Sequence, residues 1–146
     1  MGMQIRKAKE HDLDSIFSLI CELEENQIDK NHFCTVYINN LSDINIFYIV
    51  AEEHGEVVGF ASMHIQQLLH HVGRIAEIQE LIVINQYRGF GIGYMLTKEL
   101  KSIAVNYNCI NIEVCCNRMR EESHTFYKKL GMKKSHFKFT LQISTI

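Results

Sequence analysis

The stretch Arg88-Gly89-Phe90-Gly91-Ile92-Gly93 joins an apolar strand, Glu80-Leu81-Ile82-Val83-Ile84, to a segment with helical periodicity. A glycine-rich strand-to-helix turn presents unpaired backbone N–H groups at the positive end of a helix dipole, which suits a phosphate or pyrophosphate. Side chains at positions 89, 91 and 93 would crowd the approach of such a group to the backbone. Two carboxylates, Glu77 and Glu80, stand just upstream on the same strand. Their odd separation puts them on opposite faces of a regular strand, so only one can face a substrate unless a bulge intervenes. A carboxylate in a sheet interior is costly unless paired or used, and one of the two is therefore expected to be functional. The chain has eight histidines, and they cluster. His64, His70 and His71 lie on or beside predicted strands, Arg74 is close by, and His136 comes from a predicted last strand.

The elements that must position these residues follow from periodicity. Met3 to Ala8 reads as a first strand. Asp12 opens a helix with acidic residues in its first turn, and Ile16, Leu19, Ile20 and Leu23 form its apolar face to an end near Asn26. A second helix is expected from Lys30 to Asn40. Phe47 to Glu52 and Val57 to Ile65, joined at His54-Gly55, read as a β-hairpin. A strand from about Arg74 to Val83 leads through Asn85-Gln86-Tyr87 to the glycine turn. Met95, Leu96, Leu100, Ile103 and Ala104 then mark a helix stripe. Ile110, Ile112 and Val114 alternate as a strand, Glu121 to Leu130 reads as a helix stopped by Gly131, and Phe137 to Leu141 reads as a last strand.

Two other phosphate-binding patterns fit the turn less well. A dinucleotide fingerprint would need its third glycine at position 94, which is Tyr94. A nucleotide P-loop needs a following Gly-Lys-Ser/Thr, which is absent.

The 146 residues match one domain, 1–146, long enough to bury a core. Apolar residues at 47% and charged residues at 22% are globular values, and no segment approaches the ~20 apolar residues of a membrane span. The N-terminus lacks a signal peptide's apolar run, and a cytoplasmic protein is expected. A net charge of −2 without a basic block gives no reason to expect nucleic acid. Five cysteines, Cys21, Cys34, Cys109, Cys115 and Cys116, form no CxxC pair and are expected to be reduced and mostly buried. Adjacent residues on a strand project to opposite faces, which separates Cys115 from Cys116 and His70 from His71.

The order of elements, with Arg88, Gly91 and Gly93 in an Arg/Gln-x-x-Gly-x-Gly/Ala turn and Phe126-Tyr127-Lys128-Lys129-Leu130-Gly131-Met132 as a late Phe-Tyr-x-x-x-Gly-Phe element, resembles the GNAT superfamily of acyl-CoA N-acyltransferases. The likeness covers nearly the whole chain. It is closer still to the aminoalkylphosphonate N-acetyltransferases, through Ile20-Cys21-Glu22-Leu23, Gly55-Glu56-Val57-Val58-Gly59, Leu69-His70-His71-Val72, Glu77-Ile78-Gln79-Glu80-Leu81 and Ser135-His136-Phe137-Lys138-Phe139-Thr140. Two residues depart from the pattern: Asn85 stands where proline is common, and Asn117 lies further ahead of Tyr127 than is usual.

The resemblance implies an α/β GNAT fold, a mixed and mostly antiparallel sheet with a splayed cofactor cleft and helices on both faces. It implies acetyl transfer from acetyl-CoA to a primary amine by direct attack in a ternary complex. Cofactor binding would fall to Leu81, Ile82, Val83, Arg88, Gly89, Phe90, Gly91, Ile92, Gly93 and Asn117, the backbone of 81–83 pairing with the pantetheine arm as a strand would. Tyr127 would be the acid. Glu77 or Glu80 would be the base, with Glu77 favoured because family bases commonly lie several residues upstream of the pantetheine-binding backbone. His64, His70, His71, Arg74 and His136 would receive an aminoalkylphosphonate, whose dianion needs cationic donors. The resemblance also allows a divalent metal, and imidazole would suit zinc or nickel better than magnesium. An aminoglycoside, polyamine or peptide N-acetyltransferase would keep every cofactor feature, as would a non-catalytic acyl-CoA-binding module. The short stretch after Gly131 leaves scant room for two final strands, so a homodimer that completes the sheet or buries an exposed edge is a further expectation.

Overall fold

The apolar run centred on Phe60 becomes the middle strand of the molecule. The computed structural model describes residues 2–24 and 27–144, in two compact units, 1–113 and 114–146. In the first unit β1 (Gln4–Lys7), β2 (Ile46–Glu53), β3 (Glu56–Leu68) and β4 (Gly73–Val83) pair antiparallel in sequence order. β5 (Cys109–Val114) extends the sheet to the order β1-β2-β3-β4-β5. It is reached from β4 through a helix, the crossover connection that joins parallel strands. Val58, Phe60, Ala61, Ser62 and Met63 are all buried, as expected of a strand covered on both faces.

One face of β3 meets α1 (Leu13–Glu24) and α2 (Lys30–Leu41). Phe60, Val50 and Ile82 from the sheet pack with Ile16, Leu19 and Ile20 of α1 and Tyr37 of α2. Each such side chain contributes roughly 1.5–3 kcal/mol on burial. Asp29 caps α2 by accepting from the backbone N–H groups of Asn31 and His32. The expected end of α1 near Asn26 lies outside the described residues. The other face of β3 meets α3 (Ile92–Asn106), whose Ile92, Leu96, Leu100 and Ala104 are buried at helical spacing. Gly59 permits that approach: a Cβ there would stand 3.2 Å from Leu96 Cδ1 and 3.3 Å from Ile92 Cγ2.

A bulge interrupts the β3–β4 ladder. Ser62 stands opposite Glu80 and Met63 opposite Ile78, which leaves Gln79 as the extra residue on β4. At the far end of this hairpin Leu69–His71 forms a 3-10 turn. His70 and His71 therefore do not diverge as strand neighbours would; their ring centroids are 4.3 Å apart.

The second unit carries α4 (Glu121–Lys129). Gly131, at φ +89°, closes it, with Met132 N–H donating to the Tyr127 carbonyl at 3.1 Å and Gly131 N–H to the Lys128 carbonyl at 3.0 Å. The expected strand from Phe137 to Leu141 is not formed. Its alternation is there, but the segment finds no ladder partner among the described residues, and Phe137, Phe139, Leu141 and Ile143 are 86–94% exposed. The cysteines form no disulfide, as expected, but none of them is buried, against expectation. Cys115 and Cys116 follow the end of β5 rather than alternating along it.

Candidate active site

The bulge changes which carboxylates share a face. Paired residues of neighbouring strands point the same way, and Ser62 and His64, two apart on β3, point together. Ser62 opposes Glu80 and His64 opposes Glu77. The extra residue Gln79 thus turns both Glu77 and Glu80 onto the side of the sheet that carries Phe60, Ile82, α1 and α2. The opposite-face expectation for a regular strand gives way here to a bulge of one residue. Two carboxylates and an imidazole now lie on adjoining positions of one surface.

Their surroundings are polar and ordered. Ser62, fully buried, donates its hydroxyl to Glu80 Oε1 and accepts the Glu80 backbone N–H at 3.0 Å. Tyr48 stands opposite Ser62 on β2, and its hydroxyl accepts from Asn40 Nδ2 at 2.7 Å. Burial pushes the Tyr48 hydroxyl above its ordinary range; the Asn40 bond opposes this, and the Glu80 charge adds to the rise. Stacked rings carry this face back to the helices, with Tyr37 5.5 Å from Tyr48 and Phe33 6.1 Å from Tyr37 between centroids. Tyr48, Ser62 and Asn40 are site residues that sequence reasoning missed. The available signal was Ser62 itself, a lone hydroxyl inside an apolar run.

The glycine turn is built as the sequence implies. Gly89 and Gly91 have φ of +86° and +82°, a region that costs a side-chain-bearing residue roughly 1–2 kcal/mol. A Cβ on either would meet nothing within 4 Å, so the turn borders open space, where a diphosphate would have to lie. Gly91 is the N-cap of the 15-residue α3 and brings no side chain to compete for the first backbone N–H groups. Arg88 folds back on the strand, donating from Nε to the Val83 carbonyl at 2.9 Å, and lies 3.6 Å from Glu22. Ile92 plugs the core while Phe90 is exposed. These residues fit a coenzyme A pyrophosphate. Of the strand residues assigned to the pantetheine arm, Ile82 buries its side chain in the core, while Leu81 and Val83 oppose Ala61 and Gly59 on β3.

The remaining candidates are dispersed. His71 Nε2 lies 3.6 Å from Glu113, and Arg74 donates to the Tyr107 carbonyl at 3.2 Å. Both belong to the hairpin end, Arg74 about 10 Å and the turn that carries His71 about 13 Å along the strand from His64, at ~3.3 Å per residue. His136 is exposed, with Nδ1 2.6 Å from Ser135 Oγ. Among the described residues no group of three or more His, Cys, Asp or Glu could hold a metal ion.

In the second unit, burial pushes the Tyr127 hydroxyl up to about 12; charge on Cys116 adds to the rise and Arg120 opposes it. Tyr127 therefore keeps its proton at neutral pH, as a general acid must. Asn117 has a structural duty: its Oδ1 accepts the Met119 N–H at 2.9 Å, and its carbonyl bonds His124 Nε2 at 2.8 Å. That turn leads into α4.

Comparisons with known proteins give the family. Residues 6–132 match the Acetyltransferase (GNAT) family. An aminoalkylphosphonate N-acetyltransferase of Salmonella typhimurium is 41% identical over 137 residues, covering 94% of this chain and 89% of that one. A glucosamine 6-phosphate N-acetyltransferase of Candida albicans is 26% identical, covering 90% of each. An aminoglycoside N-acetyltransferase solved in complex with CoA superposes with a TM-score of 0.86 at 16% identity, over 98% of this chain and 95% of that one. By the family match and the 41% identity, the chain belongs to the GNAT family as an acetyl-CoA-dependent N-acetyltransferase.

Proposed function

We propose that the acceptor is the primary amine of an aminoalkylphosphonate, acetylated by direct attack in a ternary complex. The observation that carries this is the 41% identity, over 94% of the chain, to an enzyme named for that substrate. The glucosamine 6-phosphate relative, also named for an amine that bears a phosphorus oxyanion, supports the same class. Acetyl-CoA supplies the activated acyl group and a sulfur leaving group. The amine must shed a proton before it attacks, and Glu77, or Glu80, accepts that proton directly or through water. Tyr127 protonates the departing sulfur. Backbone groups of Leu81, Ile82 and Val83 hold the pantetheine arm, and those of residues 88–93 hold the pyrophosphate. Asn117 serves this scheme by shaping the turn before α4. His64 lies on the face that carries Glu77 and is the member of its set that we assign to hydrogen-bond the phosphonate; Arg74, His70 and His71 stand at the hairpin end, too far along the strand to share that contact.

The family match runs across both compact units, which supports a single acetyltransferase domain. Among the described residues no helix is long and apolar enough to cross a membrane; we place the enzyme in the cytoplasm. The exposed alternation Phe137, Phe139, Leu141, Ile143 supports a homodimer, a second copy supplying the ladder this segment lacks.

A thiol-release assay across aminoalkylphosphonates, polyamines and aminoglycosides tests the substrate. Turnover that favours aminoalkylphosphonates supports the proposal, and preference for a polycationic amine replaces it. Release no faster than background with every amine would indicate an acyl-CoA-binding module. Chelation followed by zinc or nickel readdition, in the same assay, decides whether a divalent metal takes part.

A further inference from the structure

A bulge breaks the ladder bonds around it and leaves backbone groups in need of partners. Here the partner is a side chain. The Ser62 hydroxyl takes the Glu80 N–H and returns its own proton to the Glu80 carboxylate, closing a ring between strand and side chain at the point where the register shifts. Ser62 is fully buried, whereas Glu80 is half-buried, so the hydroxyl end of this ring is shielded from solvent. The register shift in turn sets Glu77 beside His64 and Glu80 beside Ser62 on one face. Without Gln79 as the extra residue, the period-two alternation would return one carboxylate to the α3 side.

We propose that Ser62 is a positioning residue for acetyl transfer, clamping the β4 bulge so that both carboxylates are held on the acceptor side of the sheet. It touches no reacting atom in this scheme and acts through Glu80 and the bulge. The proposal rests on the acetyltransfer reading above, and one of its measurements does not depend on turnover.

The test is Ser62→Ala, with Ser62→Thr as the variant that keeps the hydroxyl, both in the full chain. Ser62→Ala should lower kcat about tenfold, the scale of one lost buried hydrogen bond, while KM for acetyl-CoA stays within about twofold because the glycine turn is untouched. Ser62→Thr should restore most of kcat. Amide hydrogen exchange at Glu80 should accelerate about tenfold in Ser62→Ala for the same lost bond, with Ile75 and Ala76 unchanged. Unchanged exchange at Glu80 overturns the clamp. Faster exchange at Glu80 with kcat at the native level overturns its link to catalysis. A joint fall in kcat and acetyl-CoA affinity, with exchange faster along all of β4, means ordinary core damage and overturns the proposal too. If the native chain acetylates no amine, the substrate reading fails on its own while exchange at Glu80 still decides the clamp.

Discussion

At the scale of single residues, the proposed acetyl transfer divides between a proton acceptor on β4, Glu77 or Glu80, and a proton donor on α4, Tyr127. Tyr127 is suited to donation because burial raises its hydroxyl to about 12. Removing that proton donor should cost turnover about a hundredfold, the low end for general acid catalysis. Tyr127→Phe is therefore expected to lose kcat while its affinity for acetyl-CoA, measured by calorimetry, is retained; unaltered turnover would sink the assignment. The sign of the pH dependence follows too. The protonated form is the active one, so Tyr127 adds no alkaline limb to the kcat profile until pH approaches 12. A limb in log kcat below about pH 11 that Tyr127→Phe abolishes would contradict this. These residues could be named as candidates from the sequence, since Tyr127 sits in a family motif and the carboxylates are rare charges in an apolar strand. Their relative orientation was not: one extra residue, Gln79, reverses the parity that alternation assigns, and no local propensity announces it.

At the scale of elements, the N-terminal strand is fixed to the start of α1 by charge as well as by packing. Arg6 bonds both Asp12 oxygens, at 2.8 and 2.9 Å, and Glu52 across the sheet. Burial alone would raise the Asp12 carboxyl; the Arg6 bonds and the Lys9 backbone N–H outweigh it and hold the group below its ordinary value. A depressed carboxyl contributes stability above its unfolded value, and that contribution is lost as pH falls through the folded value. Asp12→Asn should destabilise the fold at pH 7 by about 3 kcal/mol, since it leaves a part-buried guanidinium short of a partner. The gap between native and variant melting temperatures should narrow as pH falls through the depressed folded value of Asp12 and both chains come to carry a neutral group there. A gap independent of pH would mean that packing, not charge, holds the junction. The glycine turn makes a second prediction: Gly91→Ala forces a side chain into φ +82°, at roughly 1–2 kcal/mol. Acetyl-CoA affinity should fall by about tenfold, with the amine KM little changed. Most elements could be placed from periodicity because each presents an apolar stripe to the core; α2 carries its cap, Asp29, in plain view. The hairpin turn at Leu69–His71 could not, since its residues lack the usual turn formers and Val72 takes φ +50° without being glycine.

At the scale of the whole molecule, the segment after Gly131 has strand chemistry without a strand. Phe137, Phe139, Leu141 and Ile143 recur every second residue between Lys138, Thr140 and Gln142, the pattern of a strand with one buried face. Sequence periodicity reports that preference and cannot say which chain supplies the ladder, which is why the expected last strand and the structure part company here. Such a row of apolar side chains left in water marks an interaction surface. A second copy is the partner that this sequence itself guarantees at equal concentration, and pairing two copies would satisfy backbone and side chains together. Light scattering should therefore give twice the 17.0 kDa chain mass at micromolar concentration. Phe139→Glu, which sets a charge in the middle of the row, should return the chain to monomer without lowering the melting transition of the five-stranded sheet, because none of the core residues changes. A native chain that scatters as a monomer at every concentration would remove the dimer, and the ladder for residues 137–143 would then have to come from the same chain.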